Sequence, residues 1–192
     1  MNKIWNLPRV EFIPFAEIED KRPALIVTSA LAWKAVKDEL YLNIAAQIEV
    51  QEATTEYWDN LHSKIQNRKL EVVYSVGGGL TADAAKYFAV KLNLPLVVLP
   101  TALSVDAFIT WASGIRKHLP LPMGEGRVRD GCVYYIETKP PENIILDLEV
   151  IAKAPASIRA AGITDVMSIA TGAWDWKFAH EQNKNPTDME FN

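Results

Sequence analysis

Short apolar runs alternate along the chain with segments whose apolar residues recur every three or four positions. The runs predict β-strands at residues 23–29, 44–50, 72–76 and 95–100, and the periodic segments predict helices that begin near residues 32, 56 and 81. Thr55 stands where a capping residue for the second helix is expected. Strands that alternate with amphipathic helices predict a Rossmann-like α/β fold, a parallel sheet with helices on both faces.

The regular alternation stops after the fourth strand. Residues 112–116 and 133–138 predict two antiparallel strands, joined by a loop at 117–130 that is rich in proline, glycine and charge. A solvated hairpin explains this loop better than a basic arm that reaches a substrate phosphate. Residues 143–147 predict another strand, and residues 4–15 predict an irregular segment or a short strand interrupted by prolines.

From residue 156 the composition shifts to an alanine-rich, almost uninterrupted helical pattern that reaches residue 180. This change predicts a division into an α/β domain, 1–154, and the beginning of an all-helical second domain, 155–192. One or two helices bury little apolar surface alone. The helical part is therefore expected to dock on the sheet domain or on a partner chain, such as a second copy in a homo-oligomer, unless the sequence is part of a longer chain.

Charge and cysteine content exclude several classes of partner. The 192 residues carry a formal net charge of −4, so nothing favours nucleic acid as the main ligand. No apolar run is long enough for a membrane span, and the N-terminus lacks the apolar stretch of a signal peptide. The lone cysteine, Cys132, forms no intramolecular disulfide, which predicts a cytoplasmic protein.

Three consecutive glycines, Gly77, Gly78 and Gly79, stand between the predicted third strand and third helix. Glycine lets a ligand approach the backbone, and the first amides of a helix attract anions. The stretch therefore predicts either a phosphate-binding loop or simply a tight turn. Asp83 is expected to support this loop from the first helical turn, and Lys86 is expected to be a solvated helix lysine.

Ligands of parallel sheets bind beyond the carboxyl ends of the strands. The segment 101–106 follows the fourth predicted strand and adds hydroxyls and a carboxylate next to the glycines. An acidic residue after the second strand favours NAD, because it holds the ribose hydroxyls. Glu49 and Glu52 lie near that point in the sequence, so NAD is favoured over NADP.

Three stretches resemble the metal-dependent polyol dehydrogenases, a group that includes iron-containing alcohol dehydrogenases, glycerol dehydrogenases and sn-glycerol-1-phosphate dehydrogenases. They are residues 77–86 (GGGLTADAAK), residues 100–107 (PTALSVDA), and residues 160–168 (AAGITDVMS) with 174–177 (WDWK). The last block looks most like the glycerol-1-phosphate dehydrogenase branch. The resemblance runs from about residue 23 to residue 184.

This resemblance implies an NAD- or NADP-dependent dehydrogenase of glycerol phosphate or a related polyol, with a zinc or iron ion in its helical domain. It implies that the three glycines hold the pyrophosphate, that Thr101 and Ser104 line the adenine and ribose, and that Asp106 contacts substrate. Thr110 falls where the family has a serine near the nicotinamide. Asp165 matches the first metal ligand of the family.

The chain departs from the family in its histidines. The family completes its metal site with two histidines further along the helical domain, whereas this sequence has only His62, His118 and His180. None of the three matches, and all are expected to be surface or packing residues. A catalytic zinc needs about three protein ligands, so the metal site is expected to be incomplete here, in a truncated chain or a naturally short form. Two alternatives remain: a nucleotide-binding module without catalysis, and a lyase resembling 3-dehydroquinate synthase, against which the pattern at residues 104–107 argues.

Overall fold

A computed structural model describes residues 6–116 and 133–184. Six parallel strands form one sheet in the order β1-β8-β5-β4-β2-β3, and two antiparallel strands, β6 and β7, form a separate hairpin. The strands are β1 (Arg9–Phe12), β2 (Ala24–Thr28), β3 (Ile44–Glu49), β4 (Val72–Gly77), β5 (Leu96–Pro100), β6 (Ala112–Arg116), β7 (Val133–Glu137) and β8 (Asn143–Leu146).

Five helices connect or follow these strands. They are α1 (Ala30–Val36), α2 (Thr55–Ser63), α3 (Gly79–Leu92), α4 (Leu148–Lys153) and α5 (Ala156–Glu181), and a short 3-10 helix, Asp106–Phe108, follows β5. The predicted α/β fold is thus confirmed, and each of the four central predicted strands is found. Within the described residues, no helix is both long and apolar enough to cross a membrane.

The sheet has a buried core on each face because successive side chains of a strand point in opposite directions. Strand β2 shows this most simply: Leu25 and Val27 join one apolar cluster with the fully buried Trp58 of α2, whereas Ile26 joins the opposite cluster with Tyr74 of β4. All five residues of β2 are buried. The continuous apolar run in the sequence therefore reflects burial on both faces rather than alternation.

One local prediction needs correction. Helix α2 is capped by Thr54 and not by Thr55, because the Thr54 hydroxyl accepts a hydrogen bond from the Tyr57 amide at 3.3 Å. Of the two alternatives for residues 4–15, the short strand is found, since β1 pairs in parallel with β8. The sequence signal for β1 is weak because the strand lies at the edge of the sheet and most of its residues are exposed.

Asp147, which follows β8, joins the first and last parts of the sheet by hydrogen bonds. Its carboxylate caps α4 by accepting hydrogen bonds from the amides of Glu149 and Val150. The second oxygen of Asp147 accepts from the Phe15 amide at 2.9 Å, 132 positions away in sequence. The first and last parts of the sheet domain are therefore joined by a strand pairing and by one buried carboxylate.

Helix α5 is largely exposed in the described structure. None of its 26 residues is buried against the rest of the described chain, and large apolar side chains such as Ile163, Met167 and Trp174 are exposed. The helix touches the sheet domain near the 3-10 helix after β5. The predicted loop 117–130, which contains His118, lies outside the described residues. Cys132 and the residues from 185 onwards also lie outside them.

Candidate functional site

The glycine turn at the end of β4 has two glycines with steric requirements. Gly77 has a φ of 147°, and a Cβ there would lie 2.8 Å from the hydroxyl oxygen of Thr81. Gly79 is required for a different reason: a Cβ there would lie 2.7 Å from a methyl carbon of Val105. Substitution of either residue would therefore force the turn or the following helix to move.

Gly78 differs from its two neighbours because the space beside it is open. Its backbone is extended, with a φ of −101°, and a Cβ would meet nothing closer than the Ser104 hydroxyl at 3.9 Å. It precedes α3, and no side chain of the described residues caps that helix. The first amides of α3 are thus left for solvent or an anion, as in a phosphate-binding turn.

Two clefts lie on either side of this turn at the carboxyl edge of the sheet. The larger has a volume of about 830 Å³ and the smaller about 390 Å³. Gly79 lines the larger cleft and Gly78 lines the smaller one. The two clefts therefore adjoin at the glycine turn and at the neighbouring residues Ser104 and Val105, which line the smaller and the larger cleft respectively.

The residues predicted for the site divide between the two clefts. Gly78, Thr101 and Ser104 line the smaller cleft. Five others line the larger cleft: Gly79, Asp83, Asp106, Thr110 and Asp165. Gly77 lines neither of these clefts, so eight of the nine predicted site residues form two separate groups at one edge of the sheet.

The contact between α5 and the β5 loop places Asp165 beside Asp106. The Asp106 amide donates a hydrogen bond to Oδ2 of Asp165 at 2.7 Å. One turn earlier on the helix, Gly162 lies directly against the loop, where a Cβ would overlap the carbonyl oxygen of Leu103. Gly162 and Asp165, three positions apart on α5, therefore both contact the loop that follows β5.

Lys86 corrects the sequence prediction most clearly. Instead of being solvated, it is fully buried, and its ammonium lies 3.0 Å from Oδ1 of Asp83. It donates hydrogen bonds to the Ala107 carbonyl at 3.0 Å, to the Thr110 hydroxyl at 3.2 Å and to the Ala112 carbonyl. Lys86 thus joins α3 to the segment that carries Asp106 and Thr110.

Burial shapes the electrostatics of this pair. It lowers the pKa of the Lys86 ammonium, and the Asp83 carboxylate opposes that shift. Burial likewise raises the pKa of Asp83, opposed by Lys86 and by a hydrogen bond from the Gly114 amide. Asp83 is therefore more than an acid of the first helical turn, because it links α3 both to β6 and to a buried cation.

The sequence of α3 contains a signal that Lys86 is buried. Helix α3 buries residues on nearly every side, among them Ala82, Ala85, Phe88 and Ala89. A helix that is apolar all round is a buried helix, and a lysine inside it needs a partner. The aspartate three positions before Lys86 supplies that partner.

The sheet order changes which strand end lies beside the glycine turn. Strand β4 has β2 and β5 as neighbours, and β3 lies beyond β2 at the edge of the sheet. The end of β2 carries Ser29, which lines the smaller cleft. Glu49 ends β3, and Glu52 lines the larger cleft instead. Neither acid therefore stands at the strand end next to the glycines, where the argument for NAD requires it.

The described residues do not form a complete metal site. Within 6–116 and 133–184, no group of three or more His, Cys, Asp or Glu side chains is placed to hold a metal ion. Asp165 uses one carboxylate oxygen for the Asp106 amide. His62 lies on α2, and its Nε2 is buried without a hydrogen-bond partner in the described part of the chain. The incompleteness of the metal site in the whole chain therefore stays a prediction.

A parallel sheet with a glycine turn and two clefts at its carboxyl edge defines an α/β protein of the doubly wound class. Residues 15–155 match the family model described as iron-containing alcohol dehydrogenase. Because the match covers well over half of the sequence, the chain belongs to the iron-containing alcohol dehydrogenase family.

Curated relatives carry a more specific name. The NAD(P)+ glycerol-1-phosphate dehydrogenase of Pyrococcus horikoshii is 32% identical over 148 residues, which make up 77% of this chain and 38% of the relative. The enzyme of that name from Sulfurisphaera tokodaii is 30% identical over 190 residues, 92% of this chain and 51% of the relative. The chain therefore spans about half the length of these relatives, or less.

A solved structure supports the fold. The chain is similar to a probable glycerol dehydrogenase from Sinorhizobium meliloti 1021, with a TM-score of 0.71 and 21% sequence identity over 87% of this chain and 47% of the other. At this identity the likeness bears on the fold alone.

Proposed function

We propose that this chain is the nucleotide-binding part of an NAD(P)-dependent dehydrogenase that transfers hydride between a nicotinamide and a C–OH group of a polyol or polyol phosphate. The observation that carries the proposal is the glycine turn, which separates two clefts and leaves uncapped helix amides between them. A dinucleotide has this shape: two nucleoside halves joined by a charged pyrophosphate. The names of the curated relatives support the same reaction class.

In this proposal each cleft takes one half of the dinucleotide. The pyrophosphate lies over Gly77, Gly78 and Gly79, and the adenosine half lies in the smaller cleft with Thr101 and Ser104. The nicotinamide half lies in the larger cleft, which Asp106, Thr110 and Asp165 line. The larger volume of that cleft leaves room for a substrate beside the nicotinamide.

The choice of nucleotide follows from charge in the smaller cleft. Among the described residues that line it, Lys153 is the charged one, and Ser29 occupies the adjacent strand end. No carboxylate among the described residues that line this cleft repels the additional phosphate of NADP. In NAD-specific folds, an acidic residue at the neighbouring strand end excludes NADP. We therefore propose that both NAD and NADP bind, in place of the preference for NAD drawn from Glu49 and Glu52.

Asp165 is the metal-ligand candidate of this chain. It reaches the larger cleft from α5, and a divalent ion there would polarise the substrate oxygen. The described residues bring no two further ligands to it, so the part of these residues in the reaction is to bind and orient nucleotide and substrate. We propose zinc or iron as the ion, held jointly by Asp165 and by ligands from outside the described residues.

Nucleotide binding is the first test. Titration calorimetry on the 192-residue protein with NAD+, NADP+ and ADP-ribose should show one site per chain for each. The matched variant is Gly78→Asp, because a Cβ there enters open space and aspartate is a favoured residue at this helix-capping position, so its carboxylate takes up the free amides without weakening α3. It should lose nucleotide binding and keep the urea midpoint of the wild type. Absence of binding by the wild type, or undiminished binding by Gly78→Asp, would contradict the proposal.

A nucleotide-binding module without catalysis is the second candidate, favoured by the lack of a metal cluster in the described residues. Reduction of NAD+ or NADP+ with glycerol phosphate and with glycerol, in added zinc or iron, separates the two. Turnover supports the dehydrogenase, whereas binding without turnover supports the module for this chain alone.

Location and assembly remain proposals of the same kind. We propose a cytoplasmic protein, because its one cysteine leaves no intramolecular disulfide. We also propose that the exposed apolar side chains of α5 pack against further helices or a second copy of the chain. Light scattering at two protein concentrations tests whether the chain associates with a second copy.

A further inference from the structure

The buried ammonium of Lys86 holds together a segment that is continuous with the wall of the larger cleft. Its hydrogen-bond partners, Ala107, Thr110 and Ala112, are spread over six residues between the 3-10 helix and β6. All three also line the cleft. A single cation therefore fixes the backbone at both ends of this segment and the hydroxyl in its middle.

Asp83 completes the arrangement from the same helix. It lies 3.0 Å from the Lys86 ammonium and accepts a hydrogen bond from the Gly114 amide on β6. Gly114 lies close to this carboxylate, since a Cβ there would be in van der Waals contact with Oδ2 of Asp83 at 3.4 Å. The two residues are joined to each other by a charge–charge contact within α3, and hydrogen bonds from this pair connect the helix to residues 107–114.

Burying a charged ammonium is costly unless its charge and its donors are satisfied. A methionine of similar length would fill the same buried space without desolvating a charge. The energetic gain of the lysine therefore lies in the groups it orients. Those groups belong to the cleft wall and not to the hydrophobic core.

We infer that Lys86, with Asp83 as its counter-ion, is a positioning residue for the nicotinamide half of the bound dinucleotide. It acts through residues 107–114, which it holds against α3, and it does not itself touch the nucleotide. The inference rests on the proposed nucleotide-binding function. It predicts that loss of the Lys86 ammonium weakens binding in the larger cleft and leaves binding in the smaller cleft unchanged.

The test uses the variant Lys86→Met and the control Lys91→Met. Lys91 lies on the same helix, but its side chain is 46% exposed and contacts Asp59. Calorimetry gives the dissociation constants of NAD+, which fills both clefts, and of ADP-ribose, which lacks the nicotinamide. The ratio of NAD+ to ADP-ribose constants should rise at least about fivefold in Lys86→Met and stay within about twofold of wild type in Lys91→Met.

Hydrogen exchange supplies a second readout that does not depend on nucleotide. The Ile109 amide is bonded to the Asp106 carbonyl at 3.0 Å, and the Gly114 amide to Asp83. Lys86→Met should speed exchange of peptides covering 106–114 and leave those covering β2 and β4 unchanged. A variant that only weakened the core would speed exchange in the strands as well.

The outcomes are distinct. An unchanged ratio together with unchanged exchange at 106–114 overturns the inference, as does an equal loss of affinity for both ligands. If Lys86→Met does not fold, Asp83→Asn replaces it, since that variant keeps the side-chain shape and should raise the ratio in the same direction. If the wild type binds neither ligand, the proposed function fails, and exchange at 106–114 still decides whether Lys86 orders the segment.

Discussion

The amide of Asp106 donates a hydrogen bond to the carboxylate of Asp165 at 2.7 Å, although 59 positions separate the two residues in sequence. This contact and the approach of Gly162 to Leu103 join α5 to the loop that lines both clefts. Helix α5 has no buried residue in the described structure, and these two contacts near its first turns hold it against the loop.

The first prediction compares two glycines of α5. Alanine in a helix interior is favoured over glycine by about 1 kcal/mol, so Gly172→Ala, which meets nothing within 4 Å, should strengthen the helix. Gly162→Ala should instead loosen its attachment, because the new methyl group would overlap the Leu103 carbonyl. Cleavage by trypsin after the exposed Arg159 should become faster in Gly162→Ala and slower in Gly172→Ala. Equal slowing in both variants would show that Gly162 is not in close contact.

The second prediction concerns Ser29 at the end of β2. Its hydroxyl accepts from the Ala32 amide at 3.4 Å, and aspartate caps a helix equally well. Ser29→Asp should therefore fold normally and place a negative charge in the smaller cleft. The dissociation constant of NADP+ relative to that of NAD+ should rise by about tenfold or more. Glu49→Gln, at the end of the edge strand, should leave the ratio unchanged, and a reversed pattern would restore the original argument for NAD.

The third prediction is a pH dependence at the other end of the sheet. Burial acts to raise the pKa of Asp20, but hydrogen bonds from Arg22 and Tyr74 outweigh it and lower the pKa to about 2. Because the folded pKa lies below the unfolded value, the stabilisation is complete above about pH 5 and is lost as the pH falls towards 2. It amounts to about 1–2 kcal/mol.

Urea unfolding of wild type and Asp20→Asn between about pH 6 and pH 2.5 measures this effect. The difference between the two proteins should be largest at pH 6 and shrink as the pH falls. Glu19→Gln, at the exposed neighbouring position, serves as the control for removal of a carboxylate. A constant difference across the range would show that Asp20 contributes through shape and not through its charge.

The fourth prediction separates two neighbouring threonines. Thr54→Ala removes the cap of α2 and should cost about 1 kcal/mol of folding free energy. Thr55→Ala should change stability by less than about 0.5 kcal/mol, since its hydroxyl contacts only the exposed Glu56. Urea denaturation of both variants makes the comparison, and a larger effect at Thr55 would move the start of the helix by one residue.

The α/β architecture was predictable because its main signal is local. Each central strand is a short apolar run, as in β2 and β5, and the following helices show apolar spacing. The glycine turn was likewise predictable, since a positive φ at Gly77 leaves few alternatives to glycine. These features are encoded within ten or fifteen consecutive residues.

The remaining features depend on contacts between distant parts of the chain. The order of strands, which brings Ser29 rather than Glu49 beside the turn, is set by pairing across the sheet. The burial of Lys86 depends on carbonyl groups more than twenty positions away. A pattern read along the sequence contains neither relationship, so the prediction of a solvated lysine was wrong.

The pairing of β1 with β8 sets the order in which the molecule is built. Strand β1 pairs with β8 alone in the described sheet, and Phe15 donates to Asp147, so the N-terminal segment leaves the ribosome more than 130 residues before its partner. Such long-range closure is slow and entropically costly. Strand β1 is thus synthesised long before it reaches its place, and until β8 follows, the open edge of β5 is where a nascent chain of this protein is most exposed to mispairing.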